Sequence, residues 1–251
     1  MTDRTFLGRS SISGVAARTS SEDDKKMGSP GTVESLVTDP KLVGERRQQI
    51  VQAAIKLFSK QGYYSTTIQQ IAREAGISVG LIYQYFRDKD DVLFLTLKLV
   101  LESYENEIPA ALEGVEHPLE RLCVALGAYC RIVDRMRDAT VLTYRSTKSL
   151  RADRRTFIKE GEERTNRLLE GCLRACISGG HMRPVNDFLL VYQYVHFSHA
   201  WALKHWSLVP RQTLDRYVTF HTALILRALL VEAHRPAYQH LIAGHLLEAA
   251  D

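Results

Sequence analysis

Thr67-Ile-Gln-Gln-Ile-Ala-Arg-Glu-Ala-Gly76-Ile-Ser78-Val-Gly80-Leu-Ile-Tyr83-Gln-Tyr85-Phe86-Arg-Asp-Lys89 is the stretch from which the fold follows. Thr67 with Gln70 three residues later is the pattern of a capping box, in which hydroxyl and amide side chains each satisfy a backbone N–H left free at a helix start. Ile68, Ile71, Ala72 and Ala75 then recur at the spacing that buries one stripe of a helix. Gly76 is suited to the left-handed backbone that ends such a helix. Ser78 caps a second helix, in which Ile82 and Phe86 turn inward and Val79, Gly80, Tyr83 and Gln84 stay outside. Two short helices about a glycine turn form a helix-turn-helix, and its second helix is shaped to enter a DNA major groove.

The residues upstream supply a support. From Glu45 to Gln61 the positions Ile50, Ala53, Ala54, Leu57 and Phe58 make a helical stripe that Gly62 stops. Packed across the pair, this helix closes a three-helix unit and sets Arg46 and Arg47 near the phosphate backbone. Charge points the same way. Between Glu45 and Lys89, seven basic residues stand against three acidic ones, and this accounts for the whole net charge of +4. A concentrated positive charge suits a surface that neutralises phosphates.

The pattern Thr67-x3-Ile71-Ala72-x2-Ala75-Gly76-Ile77-Ser78-x-Gly80-x2-Tyr83-x-Tyr85-Phe86-x2-Lys89 resembles the DNA-binding domain of the TetR (tetracycline-repressor) family of bacterial transcription regulators. The resemblance implies an all-α protein with a three-helix DNA-binding domain and a C-terminal helical domain for ligand binding and dimerisation. It implies a double-stranded operator and a homodimer as partners, a small-molecule effector, no cofactor and no enzymatic activity. Val79, Gly80, Tyr83 and Gln84 fall where the family reads bases, and Thr67, Ser78, Tyr85 and Lys89 where it touches phosphates. The chemistry agrees: Gln84 can pair with adenine N6 and N7, Val79 can meet a thymine methyl, and Gly80 lets the backbone approach.

The chain divides into a disordered tail over 1–42, a DNA-binding domain over 43–89 and a ligand-binding and dimerisation domain over 90–251. The tail is rich in Ser, Thr, Gly and Asp, and its Met27 is a second candidate start. After Lys89 a linking helix runs to Glu107 and ends at Pro109. Helices follow over 118–137, 140–150, 154–177, 186–206 and 213–234, and a last apolar stretch spans 239–250. The aromatic and aliphatic residues Leu190, Tyr194, Tyr217, Phe220 and Leu224 suit a dimer surface, with intramolecular core as the alternative.

Ala139-Thr-Val-Leu-Thr-Tyr-Arg145-Ser-x2-Ser-Leu150, followed by a long helix and then His199-Ala-Trp201, is similar to the family branch that answers to fatty acids and acyl-CoA. Tyr144, Arg145, Lys148, Arg151, Phe197 and Trp201 are the ligand candidates, and Arg154 and Arg155 complete a basic cluster suited to CoA phosphates. A solvated helix end is the plainer reading of that cluster. A lipophilic drug-like or aromatic effector is the second reading, weakened by the lack of acidic residues between Tyr192 and Trp206. A metal-dependent enzyme built on His196, His199 and Asp187 has no supporting motif. Cys123, Cys130, Cys172 and Cys176 read as reduced core thiols without metal-ligand spacing. No apolar run approaches the roughly 20 residues a bilayer requires, and the chain reads as cytoplasmic.

Overall fold

The computed structural model of the 251-residue chain describes residues 31–243, and over them the protein is all-α. Helix α1 (Pro40–Gln61) opens before the apolar stripe suggests, because the Asp39 carboxylate accepts from the N–H of Lys41 and Leu42 and Pro40 fills the first helical position. Helices α2 (Ile68–Ala75) and α3 (Val79–Tyr85) follow the expected caps. Gln70 N donates to Thr67 Oγ1 at 3.2 Å and Thr67 N to Gln70 Oε1 at 2.9 Å. Gly76 takes φ of 68°, and Leu81 N donates to Ser78 Oγ at 3.1 Å.

Helix α4 (Lys89–Ala111) is capped by Asp88 and carries Pro109 in its last turn instead of stopping before it. The end closes with three-residue bonds, from Leu112 N to Pro109 O and Glu113 N to Ala110 O, so the ring costs the helix little there. Then come α5 (Pro118–Arg135), α6 (Arg137–Ser146), a 3₁₀ turn at Thr147–Ser149, α7 (Ala152–Ser178), α8 (Asp187–Leu203), α9 (His205–Leu208), α10 (Leu214–Leu229) and α11 (Gln239–Ala243). The helix expected over 213–234 stops at Leu229, because Leu230 is extended and forms an isolated bridge with Met182. Arg183 N donates to Leu229 O at 2.8 Å and Val231 N to His181 O at 3.0 Å.

Two apolar clusters organise these helices. One holds Ile50, Phe58, Ile71, Ile82 and Phe86 from α1 to α3 and extends through Val92, Phe94 and Leu97 of α4 to Leu142, Leu150 and Ile158. The other joins the later part of α4 to α5, α7, α8 and α10. The first core therefore does not end at Lys89, and α4 belongs to both.

Part of 31–42, assigned by composition to the tail, is held against the rest of the chain, although most of its residues stay exposed. Val33 is buried, and Leu36 N donates to Gln84 O at 2.8 Å. Composition misses this because the contacts are made mainly by backbone atoms. Residues 1–30, Met27 among them, and 244–251 at the end of the last apolar stretch lie outside the described residues.

Candidate functional site

On α3 the sequence pattern sorts the side chains into two faces. Ile82, Tyr85 and Phe86 are buried, while Gly80, Tyr83 and Gln84 are exposed and Val79 is half-buried. A Cβ added at Gly80 would meet nothing within 4 Å, so close packing within the chain does not account for this glycine. Thr67 and Ser78 are both exposed helix caps whose oxygens accept backbone N–H bonds. The Ser78 hydroxyl still has a proton to donate outward.

Three of the expected phosphate contacts are engaged inside the protein. Tyr85 is only 2% exposed and packs in the first core. The Lys89 ammonium donates to the carbonyls of Tyr63 at 2.8 Å, Thr66 at 2.8 Å and Tyr64 at 3.3 Å, which uses its three protons. It also lies 4.5 Å from the centre of the Tyr63 ring, and burial lowers its pKa. Arg47 donates to the carbonyls of Val33, Glu34 and Tyr85, and desolvation lowers its pKa despite the opposing field of Asp91. Both cations position the loop and helix ends around α3. Arg46 is half-buried and donates to Gln49 Oε1 at 2.8 Å.

The basic cluster expected to meet CoA is divided in the same way. Arg154 is 2% exposed, donates to Asp90 at 2.7 Å and to Asp91, and lies 4.8 Å from the centre of the Phe94 ring. Arg151 reaches Asp88, Asp90 and Asp91 at 3.3–3.5 Å. Burial opposes ionisation of Asp91, but the Arg87 N–H at 2.7 Å and the Arg154 guanidinium outweigh it and hold the carboxyl below its ordinary pKa. The start of α7 is thereby fastened to the first turn of α4. Arg145 and Lys148 remain exposed.

A cavity of about 440 Å³ opens between α4, α5, α6, α7 and α8. Its apolar wall includes Leu97, Val100, Leu101, Ile158 and Val195, and its polar wall includes Tyr104, Tyr129, Thr140, Tyr144, Asn166 and His199. His199 joins two tyrosines, with Tyr129 Oη 2.9 Å from Nε2 and Tyr144 Oη 2.7 Å from Nδ1. Desolvation, with His196 adding to it, lowers the imidazole pKa to about 4. A neutral ring both donates and accepts, so one tyrosine donates to it and the other accepts from it. The Tyr104 hydroxyl is buried beside Tyr129 and Thr140 Oγ1, and its burial raises its pKa. Glu162 and Glu163 also line the space, and desolvation around Glu162 raises its pKa against the opposing charge of Lys159.

Of the six ligand candidates, Tyr144 alone lines this cavity. Phe197 turns the other way and stacks on Tyr217 at 4.1 Å, while Trp201 is buried and donates through Nε1 to Asp134 at 2.8 Å. The cavity face of α8 is instead Tyr192, Val195, His196 and His199. Their spacing is visible in the sequence, but so is a stripe on every other side of this helix.

The dimer candidates separate too. Tyr194 and Tyr217 are core residues, with hydroxyls donating to Leu126 O at 2.9 Å and Phe197 O at 2.7 Å. Leu190 is half-buried against the second core. Phe220 and Leu224, one turn apart on α10, stay exposed. Asp187 pairs with Arg174, and His196 with the carbonyl of Tyr192, so the residues of the enzyme alternative serve separate contacts. Among the described residues no cluster of three or more His, Cys, Asp or Glu is arranged to hold a metal, and no helix is long and apolar enough to cross a membrane. All four cysteines are free, and Cys130, Cys172 and Cys176 are buried.

Residues 50–95 match the family described as bacterial regulatory proteins, tetR family. The chain is 63% identical over 211 residues to the HTH-type transcriptional regulator HbdR of Aromatoleum sp. (strain CIB), covering 84% of this chain and 92% of that one. It resembles the TetR family regulator PfmR from Thermus thermophilus with a TM-score of 0.64 at 24% identity, over 71% of this chain and 97% of that one. It also resembles AibR in complex with isovaleryl coenzyme A and operator DNA, with a TM-score of 0.63 at 19% identity, over 72% and 97% of the two chains.

Proposed function

Because the chain belongs to the tetR family of bacterial regulatory proteins, which are transcriptional regulators and not enzymes, we propose that it is a repressor that binds a palindromic operator as a homodimer. The observation that carries the DNA-binding part is the exposed stripe of α3: Gly80, Tyr83 and Gln84 face solvent while Ile82 and Phe86 hold the helix to its support. In this reading Val79, Gly80, Tyr83 and Gln84 read bases, Thr67 and Ser78 contact phosphates, and residues 43–89 are the DNA-binding part of the chain. Each subunit of the dimer presents α3 to one half-site, about one helical turn or a multiple of it apart.

Phe220 and Leu224 are the residues we assign to the dimer contact, since they expose apolar area on α10. The effector occupies the cavity between α4 and α8 and acts by population shift, binding more tightly to one placement of α4 than to another. Motion of α7, which lines the cavity at Ile158 and grips Asp90 and Asp91 through Arg154, adds to that of α4.

For the effector we favour an acyl-CoA thioester. The largely apolar cavity wall, with the Tyr104 hydroxyl and Thr140 Oγ1 set into it, supports this reading, as does the likeness in fold to AibR, which is seen in complex with isovaleryl coenzyme A. The pairing of Arg151 and Arg154 with aspartates leaves Arg145 and Lys148 for the CoA phosphates. The second reading, a lipophilic drug-like compound carrying positive charge, is favoured by Glu162 and Glu163 in the cavity wall.

Fluorescence anisotropy on labelled DNA from upstream of the protein's own gene, titrated with a panel of acyl-CoA thioesters and with free CoA, tests both parts. Tight binding released by one thioester and not by CoA is the expected result. Release by an aromatic cation alone moves the effector to the second reading. Binding no tighter than to scrambled DNA contradicts the proposed operator.

A further inference from the structure

The last carbonyls of any helix lack partners within it, and α3 is only 7 residues long. Here a separate segment supplies them. Gln84 O accepts from Leu36 N at 2.8 Å and from Ser35 Oγ at 3.1 Å. Tyr85 O accepts from the Arg47 guanidinium at 3.1 Å, and the same group donates to Val33 O at 2.6 Å and Glu34 O at 3.0 Å. One arginine therefore ties the crossing segment to the helix end.

The segment is held on both sides of this crossing. Val33 is buried in the first core, and Glu34 lies 3.7 Å from Arg87 just beyond α3. Upstream, Lys98 of α4 donates to Gly31 O at 2.9 Å. The Gly31 backbone also lies so close to Phe157 of α7 that a Cβ there would stand 2.5 Å from the ring. The Leu36 side chain is 81% exposed, so this residue serves the contact through its N–H.

We propose that residues 31–36 are a positioning strap for DNA reading: they clamp the Gln84 carbonyl directly, share Arg47 with the Tyr85 carbonyl, fix the pitch of α3 in the groove, and join that helix end to α4 and α7. The inference rests on α3 being the base-reading helix. None of these residues touches a base in this account; they act through the orientation of Gln84 and Tyr83.

The test compares Leu36→Pro, which removes the N–H, with Leu36→Ala, which keeps it, in the full chain. Anisotropy is measured on operator and on scrambled DNA of equal length, with thermal unfolding alongside. Loss of one such bond corresponds to roughly a five- to tenfold change. Leu36→Pro is expected to lose that factor on the operator and little on scrambled DNA, with Leu36→Ala within about twofold of wild type. A Leu36→Pro protein that binds the operator as wild type does overturns the strap.

Should Leu36→Pro unfold the chain, hydrogen exchange of the Leu36 amide in the wild type decides. Strong protection is expected, and exchange at the rate of an unstructured amide overturns the strap. A wild-type protein that protects this amide but does not distinguish operator from scrambled DNA overturns the α3 reading itself, and the positioning role with it.

Discussion

Helices α3 and α8 both carry a stripe of candidate functional side chains in the sequence, and only α3 keeps its stripe together. Along α2 and α3 the caps Thr67 and Ser78, the left-handed Gly76 and the inward Ile82 are local chemistry, and each sits as the sequence implies. Helix α8 is apolar around most of its circumference, from Phe188 to Trp201. Such a helix acquires its faces from its neighbours. The stripe of Leu190, Tyr194, Phe197 and Trp201 packs toward α5 and α10, and the cavity receives Tyr192, Val195, His196 and His199. Capping and turns are legible from one segment; the face of a buried helix needs the rest of the molecule.

Cations repeat the lesson. Charge and the family resemblance together place Arg47, Lys89, Arg151 and Arg154 beside phosphates, but each finds an acceptor within the chain: backbone carbonyls for the first two, the carboxylates of Asp88, Asp90 and Asp91 for the others. A sequence shows the sign of a charge and not its partner. The acidic residues missing between Tyr192 and Trp206 reach the cavity from α7 instead, as Glu162 and Glu163. The Asp39-Pro40 pair is a readable start signal for α1, which the apolar stripe does not include because the pair precedes its first position.

The contrast between internal and outward cations breaks most visibly at Arg154. Arg154→Ala leaves Asp91, with no exposed side-chain surface, as a buried charge with less compensation, and should cost about 3–5 kcal/mol in urea unfolding. Because the Asp91 pKa is depressed on folding, its contribution is present above the unfolded value of about 4 and is lost as pH falls through the folded value. Wild-type stability should thus decline below about pH 4, and the decline should be shallower in Arg154→Ala.

The interior of α8 gives a second, smaller pH effect. His199 is held near pKa 4 by desolvation, below its unfolded value of about 6.5, so the folded state binds fewer protons between these limits. Its contribution is complete above about pH 6.5 and is lost progressively toward pH 4, a change of roughly 1–3 kcal/mol. Replacing it by the non-titrating His199→Gln should flatten that part of the stability curve. An unchanged curve would mean that His199 is not desolvated as its contacts with Tyr129 and Tyr144 indicate.

On the DNA side, Lys89→Ala separates an internal cation from an outward one. With its ammonium on three carbonyls, the change should lower stability by about 1–3 kcal/mol and leave the salt dependence of DNA binding unaltered. A slope reduced by about one would return Lys89 to the phosphates.

If the exposed face of α3 reads the operator, Gln84 should carry base preference. Anisotropy titrations of wild type and Gln84→Ala against the operator and a set of single-base variants measure the discrimination lost. Gln84→Ala is expected to bind every variant of one base pair almost equally, where the wild type separates them by about 1–3 kcal/mol. An unchanged pattern of preference across all variants would remove Gln84, and with it this face of α3, from base reading.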